Sequence, residues 1–225
     1  MVRHPSALGV LITAGCSCLF VALAVGVING GALVRFDQST ADVLHTYASG
    51  APKLTDYFHI VSILGSLKAL ALVGVLVAAA LLVQRSWLTL STWLAAVLGG
   101  EALNLLLKDL FARPRPYFGH PLVVETSYSF PSGQAMESLV VYGMLAYFAL
   151  LTLRSKRMRV VSVGGAVVLV TLIGFSRVYL GAHYLSDVVG GFVAGGAWLG
   201  AIIAGWETIR HQRGMASRRG QTSPP

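Results

Sequence analysis

Six apolar runs, each near the length that crosses a bilayer, constrain this chain more than anything else in it. They are Ala7–Ile28, Ile60–Val83, Leu88–Leu107, Met136–Leu153, Val160–Phe175 and Val188–Trp206. A hydrocarbon core about 30 Å thick takes roughly 20 residues of helix. Lipid offers no partner to a free backbone N–H or C=O, so a run that spans must be helical. Composition agrees: only 12% of the 225 residues are charged, against about 25% in a soluble domain. The expectation is an all-α integral membrane bundle of six transmembrane helices forming one domain, residues 1–209. A basic tail rich in Gly and Ser, residues 210–225, is expected to be disordered.

Lysine and arginine orient the bundle. With both termini cytoplasmic, ten of the seventeen fall on the cytoplasmic side, among them Arg85, Arg154, Lys156, Arg157, Arg159 and Arg210. Six fall outside: Arg35, Lys53, Lys108, Arg113, Arg115 and Arg177. The net charge of +8 therefore reads as topology and contact with anionic membrane lipids. No nucleic-acid partner is expected. The first run reads as an uncleaved anchor, because apolar residues continue through Val25, Val27 and Ile28, past the small residues Ala22 and Ala24. Cys16 and Cys18 lie inside it and read as buried, reduced thiols. No Cys/His spacing suits a metal, and no cofactor is expected. Asp37–Phe58, broken by Pro52, is expected to form short interfacial helices.

Three polar clusters interrupt the apolar pattern. Lys108 to Pro116 follows the third run, Pro131-Ser132-Gly133-Gln134 precedes the fourth, and Ser176-Arg177 with His183 and Asp187 bridges the fifth and sixth. Hydropathy puts all three at one membrane face. Separate interfacial anchors account for a lone Lys108, but poorly for Arg, His, Asp and Ser-Gly gathered together. Guanidinium and ammonium groups at Lys108, Arg115 and Arg177 suit a phosphate. Ser132 and Gly133 precede a helix, where a hydroxyl and free N–H groups meet an anion. His183 and Asp187 are four apart and share a face if helical, so that Asp187 can hold Nδ1–H and free Nε2 for attack on phosphorus.

These residues resemble the type 2 phosphatidic acid phosphatase (PAP2) family. Its motifs are Lys, six residues, Arg-Pro; then Pro-Ser-Gly-His; then Ser-Arg, five residues, His, three residues, Asp. This chain has Lys108 with Arg115-Pro116, Pro131-Ser132-Gly133, and Ser176-Arg177 with His183 and Asp187. The resemblance implies phosphate ligands at Lys108, Arg115, Ser132, Gly133 and Arg177, a nucleophile at His183 that becomes transiently phosphorylated, and an orienting partner at Asp187. It implies a metal-independent lipid phosphatase acting on phosphatidate, phosphatidylglycerophosphate or a polyprenyl diphosphate. The expected setting is a bacterial inner membrane, with the site facing outward. The soluble vanadium haloperoxidases share the family fold, but six spans argue against that activity.

One position departs. Gln134 stands where the family has the histidine that protonates the leaving alkoxide. An amide has no proton to give near neutral pH, and loss of a general acid costs about 10²- to 10⁴-fold. A catalytically impaired or purely lipid-phosphate-binding member is therefore the alternative; the retained His183 and Asp187 argue against a pure binder. A transporter lacks support, since neither an inverted repeat nor a broken helix is evident. Glu101 and Glu137 lie in or near spans, where an ionisable group is a functional suspect, and Glu137 is three residues past Gln134. Arg113 reads as a supporting cation, Lys68 as a snorkelling one, Tyr128 and Tyr179 as interfacial aromatics and His120 as a loop residue.

Overall fold

A computed structural model describes residues 7–221. The chain forms eight helices among them: α1 (Ala7–Asn29), α2 (Ala32–Gly50), α3 (Pro52–Leu64), α4 (Leu67–Val83), α5 (Trp87–Phe111), α6 (Gly133–Thr152), α7 (Lys156–Tyr179) and α8 (Leu185–Gln221). Six stretches are long and apolar enough to cross a membrane, with α3 and α4 forming one of them. The protein is thus an integral membrane bundle of six transmembrane helices. Large apolar side chains such as Leu11, Val75 and Leu106 lie exposed on its outer surface, as lipid-facing residues do.

The helices run further than hydropathy alone predicts. α5 extends past Leu107 to place Lys108 in its last turn, and α7 extends past Phe175 to include Arg177. Buried polar residues at these ends find partners in the protein, so hydropathy falls before the helix stops. α8 continues to Gln221, so residues 210–221 are helical where a disordered tail was expected. Propagating a formed helix costs far less than nucleating one. Residues 222–225 of that expected tail lie outside the described residues.

Short helices cover the Asp37–Phe58 segment as α2 and the first half of α3, but α3 continues with α4 as one of the membrane-crossing stretches. The second apolar run is divided at Gly65-Ser66: α3 ends there, and the Ser66 hydroxyl accepts the Ala69 N–H at 3.3 Å to cap α4. Cys16 and Cys18 are free, and Cys18 is exposed rather than buried, because lipid supplies the apolar surroundings there.

Leu70, Trp93, Ala96, Val140 and Met144 form a core between α4, α5 and α6. The Trp93 indole donates to Gly74 O at 3.0 Å. Tyr179 belongs not to the interface but to a buried aromatic cluster with Phe58. Two glycines fix the approach to α8. Gly181 takes a left-handed φ of 70° in the turn after α7, open to glycine at little cost. At Gly191 a Cβ would lie 2.5 Å from the Ser132 carbonyl and 3.2 Å from the Met136 nitrogen, backbone atoms of the N-cap and first turn of α6 that cannot swing aside. Gly191→Ala is expected to destabilise the bundle by about 1–3 kcal/mol through overpacking. Thermal unfolding in detergent checks this against Gly164→Ala, whose Cβ meets nothing within 4 Å and which is expected to cost nothing.

Candidate active site

Four helix ends converge where the polar clusters fall. α5 stops after Lys108 because Ala112 turns left-handed (φ 44°) and Pro114 and Pro116 cannot resume a helix. α6 starts at Gly133, α7 delivers Arg177, and His183 occupies the turn before α8. Lys108, Arg115, Gly133, Gln134, Arg177 and His183 all line one cavity of about 270 Å³. Ser132 and Asp187 are fully buried and outside its wall. The Ser132 N–H donates to the Asp187 carbonyl at 2.9 Å, so that amide is not free for an anion, while its hydroxyl has no partner. His120 and Lys68 are exposed and lie away from the cavity.

His183 is held from both ring nitrogens. Arg115 Nη1 lies 3.1 Å from Nε2. A guanidinium only donates, so Nε2 is the acceptor and the proton of the neutral ring sits on Nδ1. Nδ1 faces Ser129 Oγ at 3.4 Å and Asp187 Oδ2 at 3.6 Å. The second distance exceeds a hydrogen bond. His183 also precedes the helix rather than sharing a face of it with Asp187. The expected direct grip is replaced by one through Ser129, whose hydroxyl donates to Asp187 Oδ2 at 2.5 Å. Asp187, third in α8, accepts the Tyr184 N–H at 2.9 Å and so caps the helix that carries it. Burial lowers the His183 pKa to about 4; Asp187 opposes this, and the Arg115 and Arg177 charges add to it. The ring is neutral near pH 7.

Behind Asp187 stands a buried brace. Arg113 Nη1 pairs with Asp187 Oδ1 at 2.5 Å, and Nη2 with Asp37 Oδ2 at 2.9 Å. Its guanidinium lies 4.4 Å from the Tyr184 ring centroid. Asp37, from α2, also accepts the Ser186 N–H at 3.0 Å. Arg113 is therefore spent on two carboxylates.

The three cations in the cavity meet one segment of the loop between α5 and α6. Lys108 Nζ donates to Tyr128 O at 2.5 Å and Ser127 Oγ at 3.3 Å. Arg115 donates to Ser127 O, Ser127 Oγ and Tyr128 O as well as to Ala182 O and His183, which engages all five of its N–H groups. Burial lowers the Arg115 pKa; Glu125 opposes this and Arg177 adds to it. Arg177 pairs with Glu125 and donates to Ser62 Oγ at 2.6 Å, while its Nε is buried without a partner. Ser62 in turn donates to Gln134 Oε1 at 3.4 Å. Asp37, Ser62, Glu125, Ser127 and Ser129 were not singled out in the sequence. Ser62 is an isolated polar residue, while Asp37 lies in one polar stretch and Glu125, Ser127 and Ser129 in another, neither belonging to the motifs. Among the described residues no group of three or more His, Cys, Asp or Glu side chains is placed to hold a metal ion.

Beside the cavity runs an apolar groove of about 220 Å³ between α4, α5 and α6, lined by Leu70, Trp93, Val97 and Val140 among others. Groove and cavity share Leu67, Glu101 and Glu137.

Residues 88–210 match the family model of the PAP2 superfamily. Phosphatidylglycerophosphatase B of Bacillus subtilis (strain 168) is 47% identical over 95 residues, which are 41% of this chain and 46% of that protein. The chain thus spans less than half the length of that curated relative. A crystal structure described as the first transmembrane PAP2 type phosphatidylglycerolphosphate phosphatase, from Bacillus subtilis, superposes with a TM-score of 0.76 at 32% identity. The match covers 84% of this chain and 93% of that one.

Proposed function

The chain belongs to the PAP2 superfamily, and on that premise we propose that it is a membrane phosphatase hydrolysing a lipid phosphate or diphosphate through a phosphohistidine at His183. One observation carries this reading: a neutral histidine whose Nε2 accepts from Arg115 lines the same cavity as Lys108 and Arg177. A phosphate seated on those cations places phosphorus within reach of Nε2. Attack forms the N–P bond and breaks the ester P–O bond. The cations stabilise charge on the equatorial oxygens in the transition state. Water then attacks phosphorus, releasing phosphate and restoring His183. Ser129 and Asp187 hold the Nδ1 side of the ring throughout. No step calls for a metal.

The groove between α4, α5 and α6 suits the lipid tail, since it opens into the cavity and is apolar along its length. The excess of Lys and Arg at the opposite loops supports a cavity facing outward and both termini in the cytoplasm. Residues 1–209 form the membrane domain in this reading, and the bacterial relative supports an inner membrane. The relatives' names favour phosphatidylglycerophosphate among the candidate lipids.

Phosphate release from phosphatidate, phosphatidylglycerophosphate and a polyprenyl diphosphate in detergent micelles, without added metal, tests the proposal. Release from at least one is expected, with an acid-labile, base-stable phosphoenzyme trapped on quenching. Lipid-phosphate binding without release from any of the three would install the binder reading that Gln134 favours.

A further inference from the structure

Gln134 leaves the leaving group without its usual proton donor, and the cavity wall holds another. Glu101 on α5 and Glu137 on α6 meet side chain to side chain. Glu137 Oε1 folds back toward the start of its helix: a Cβ on Gly133 would lie 3.3 Å from it. Glu101 Oε2 is buried with no partner. Among the described residues neither carboxyl forms a salt bridge. A carboxyl group in contact with a second carboxyl group, and with no cation paired to either, is suited to carry and hand on a proton.

Their place is as telling as their pairing. Leu67, Glu101 and Glu137 are the residues common to the cationic cavity and the apolar groove, whereas His183 lines the cavity alone. In a lipid phosphate, the atom joining the charged head to the apolar tail side is the ester oxygen. A substrate with its phosphate on Lys108 and Arg177 and its tail in the groove passes that oxygen beside the two glutamates.

We infer that Glu137, in contact with Glu101, is the general acid and base of this protein, taking over the task of the residue that Gln134 replaces. The inference rests on the phosphatase reading above. As His183 Nε2 bonds to phosphorus and the P–O ester bond breaks, the Glu137 carboxyl gives its proton to the departing oxygen, and the lipid leaves as an alcohol. The Glu137 carboxylate then takes a proton from the attacking water. The new O–P bond forms, the N–P bond breaks, and phosphate, neutral His183 and protonated Glu137 result. Gln134 keeps a positioning part through its contact with Ser62.

The test varies the leaving group. A long-chain alkyl phosphate and an alkylated nitrophenyl phosphate of matched length are offered to the full chain in micelles. The nitrophenolate leaves without a proton; the alkoxide does not. In single-turnover release of the leaving group, which precedes the base step common to both esters, Glu137→Gln is expected to lose about 10²- to 10⁴-fold on the alkyl ester and much less on the nitrophenyl ester. Adding Gln134→His to Glu137→Gln is expected to restore alkyl turnover in part. A purely structural role for Glu137 would depress both esters alike and resist that rescue, and this result would overturn the inference, as would undiminished alkyl turnover. Should Glu137→Gln fail to fold, Glu137→Asp carries the same comparison. If the unaltered chain releases phosphate from neither ester, the phosphatase reading itself falls and the acid with it; that outcome is told apart by needing no variant at all.

Discussion

His183→Ala is expected to abolish turnover, with a loss on the order of 10⁶-fold, the scale seen when a covalent nucleophile is removed from an enzyme that acts through one. The trapped phosphoenzyme is expected to vanish with it. Truncation also removes the acceptor that Arg115 Nη1 faces and the ring beside Ser129, so His183→Asn, closer in shape, serves as the control; it is expected to be equally inactive and to unfold near the parent temperature. The pH dependence carries a second expectation. Protonation of Nε2 would silence the nucleophile, and because burial lowers the His183 pKa to about 4, the acid limb belonging to this group lies near pH 4 instead of the usual histidine range near 6.5. A rate profile for the nitrophenyl ester whose acid limb lay near pH 6.5 would contradict a neutral, buried ring.

Arg113→Ala is expected to have the largest effect on stability. Arg113 is only 8% exposed and Asp37 and Asp187 are 1% and 0% exposed. Removing the cation leaves two buried carboxylates facing one another, and breaking a buried pair in this way costs about 3–5 kcal/mol. Arg113→Lys is expected to recover only part of this, because one ammonium cannot reproduce a planar fork that holds two carboxylates at once. Thermal unfolding in detergent measures both. A small shift for Arg113→Ala would mean that Asp37 and Asp187 are carried by their other donors, Ser186, Ser129 and the Tyr184 N–H. Activity in Arg113→Lys is expected to fall further than stability, since displacement of Asp187 moves Ser129 and the His183 ring.

The spans were legible because length and apolarity are imposed by the bilayer itself, and the motif residues Lys108, Arg115, Gln134, Arg177 and His183 could be placed together because helix direction alternates. The break at Gly65-Ser66 was not legible. Leu64 and Leu67 flank it, so the apolar run continues across the division between α3 and α4 and only a Gly-Ser dipeptide marks it. Asp37 could not have been matched to Arg113 and Ser186 from spacing, since they lie 76 and 149 residues apart. Ser129 was equally hidden. A serine two residues before a motif is unremarkable until folding places it between Asp187 and His183. Asp187 itself was recognised as a partner, but its cap on Tyr184 replaced the helical pairing expected of residues four apart.

The oxygens that Glu125, Ser127 and Tyr128 set on Lys108, Arg115 and Arg177 make phosphate capture an exchange. At Arg115, whose five N–H groups all have partners, an incoming phosphate oxygen gains a charged donor only as a protein oxygen releases it, so the net gain there is a difference between similar interactions. A dilute, freely diffusing phosphate ester has little with which to tip that balance. A lipid whose tail already lies in the bilayer is confined beside the cavity at a high effective concentration. In the proposed reaction, selection of substrate would then begin with anchorage, before any headgroup chemistry is read, and a soluble phosphate compound would meet an Arg115 that is already satisfied.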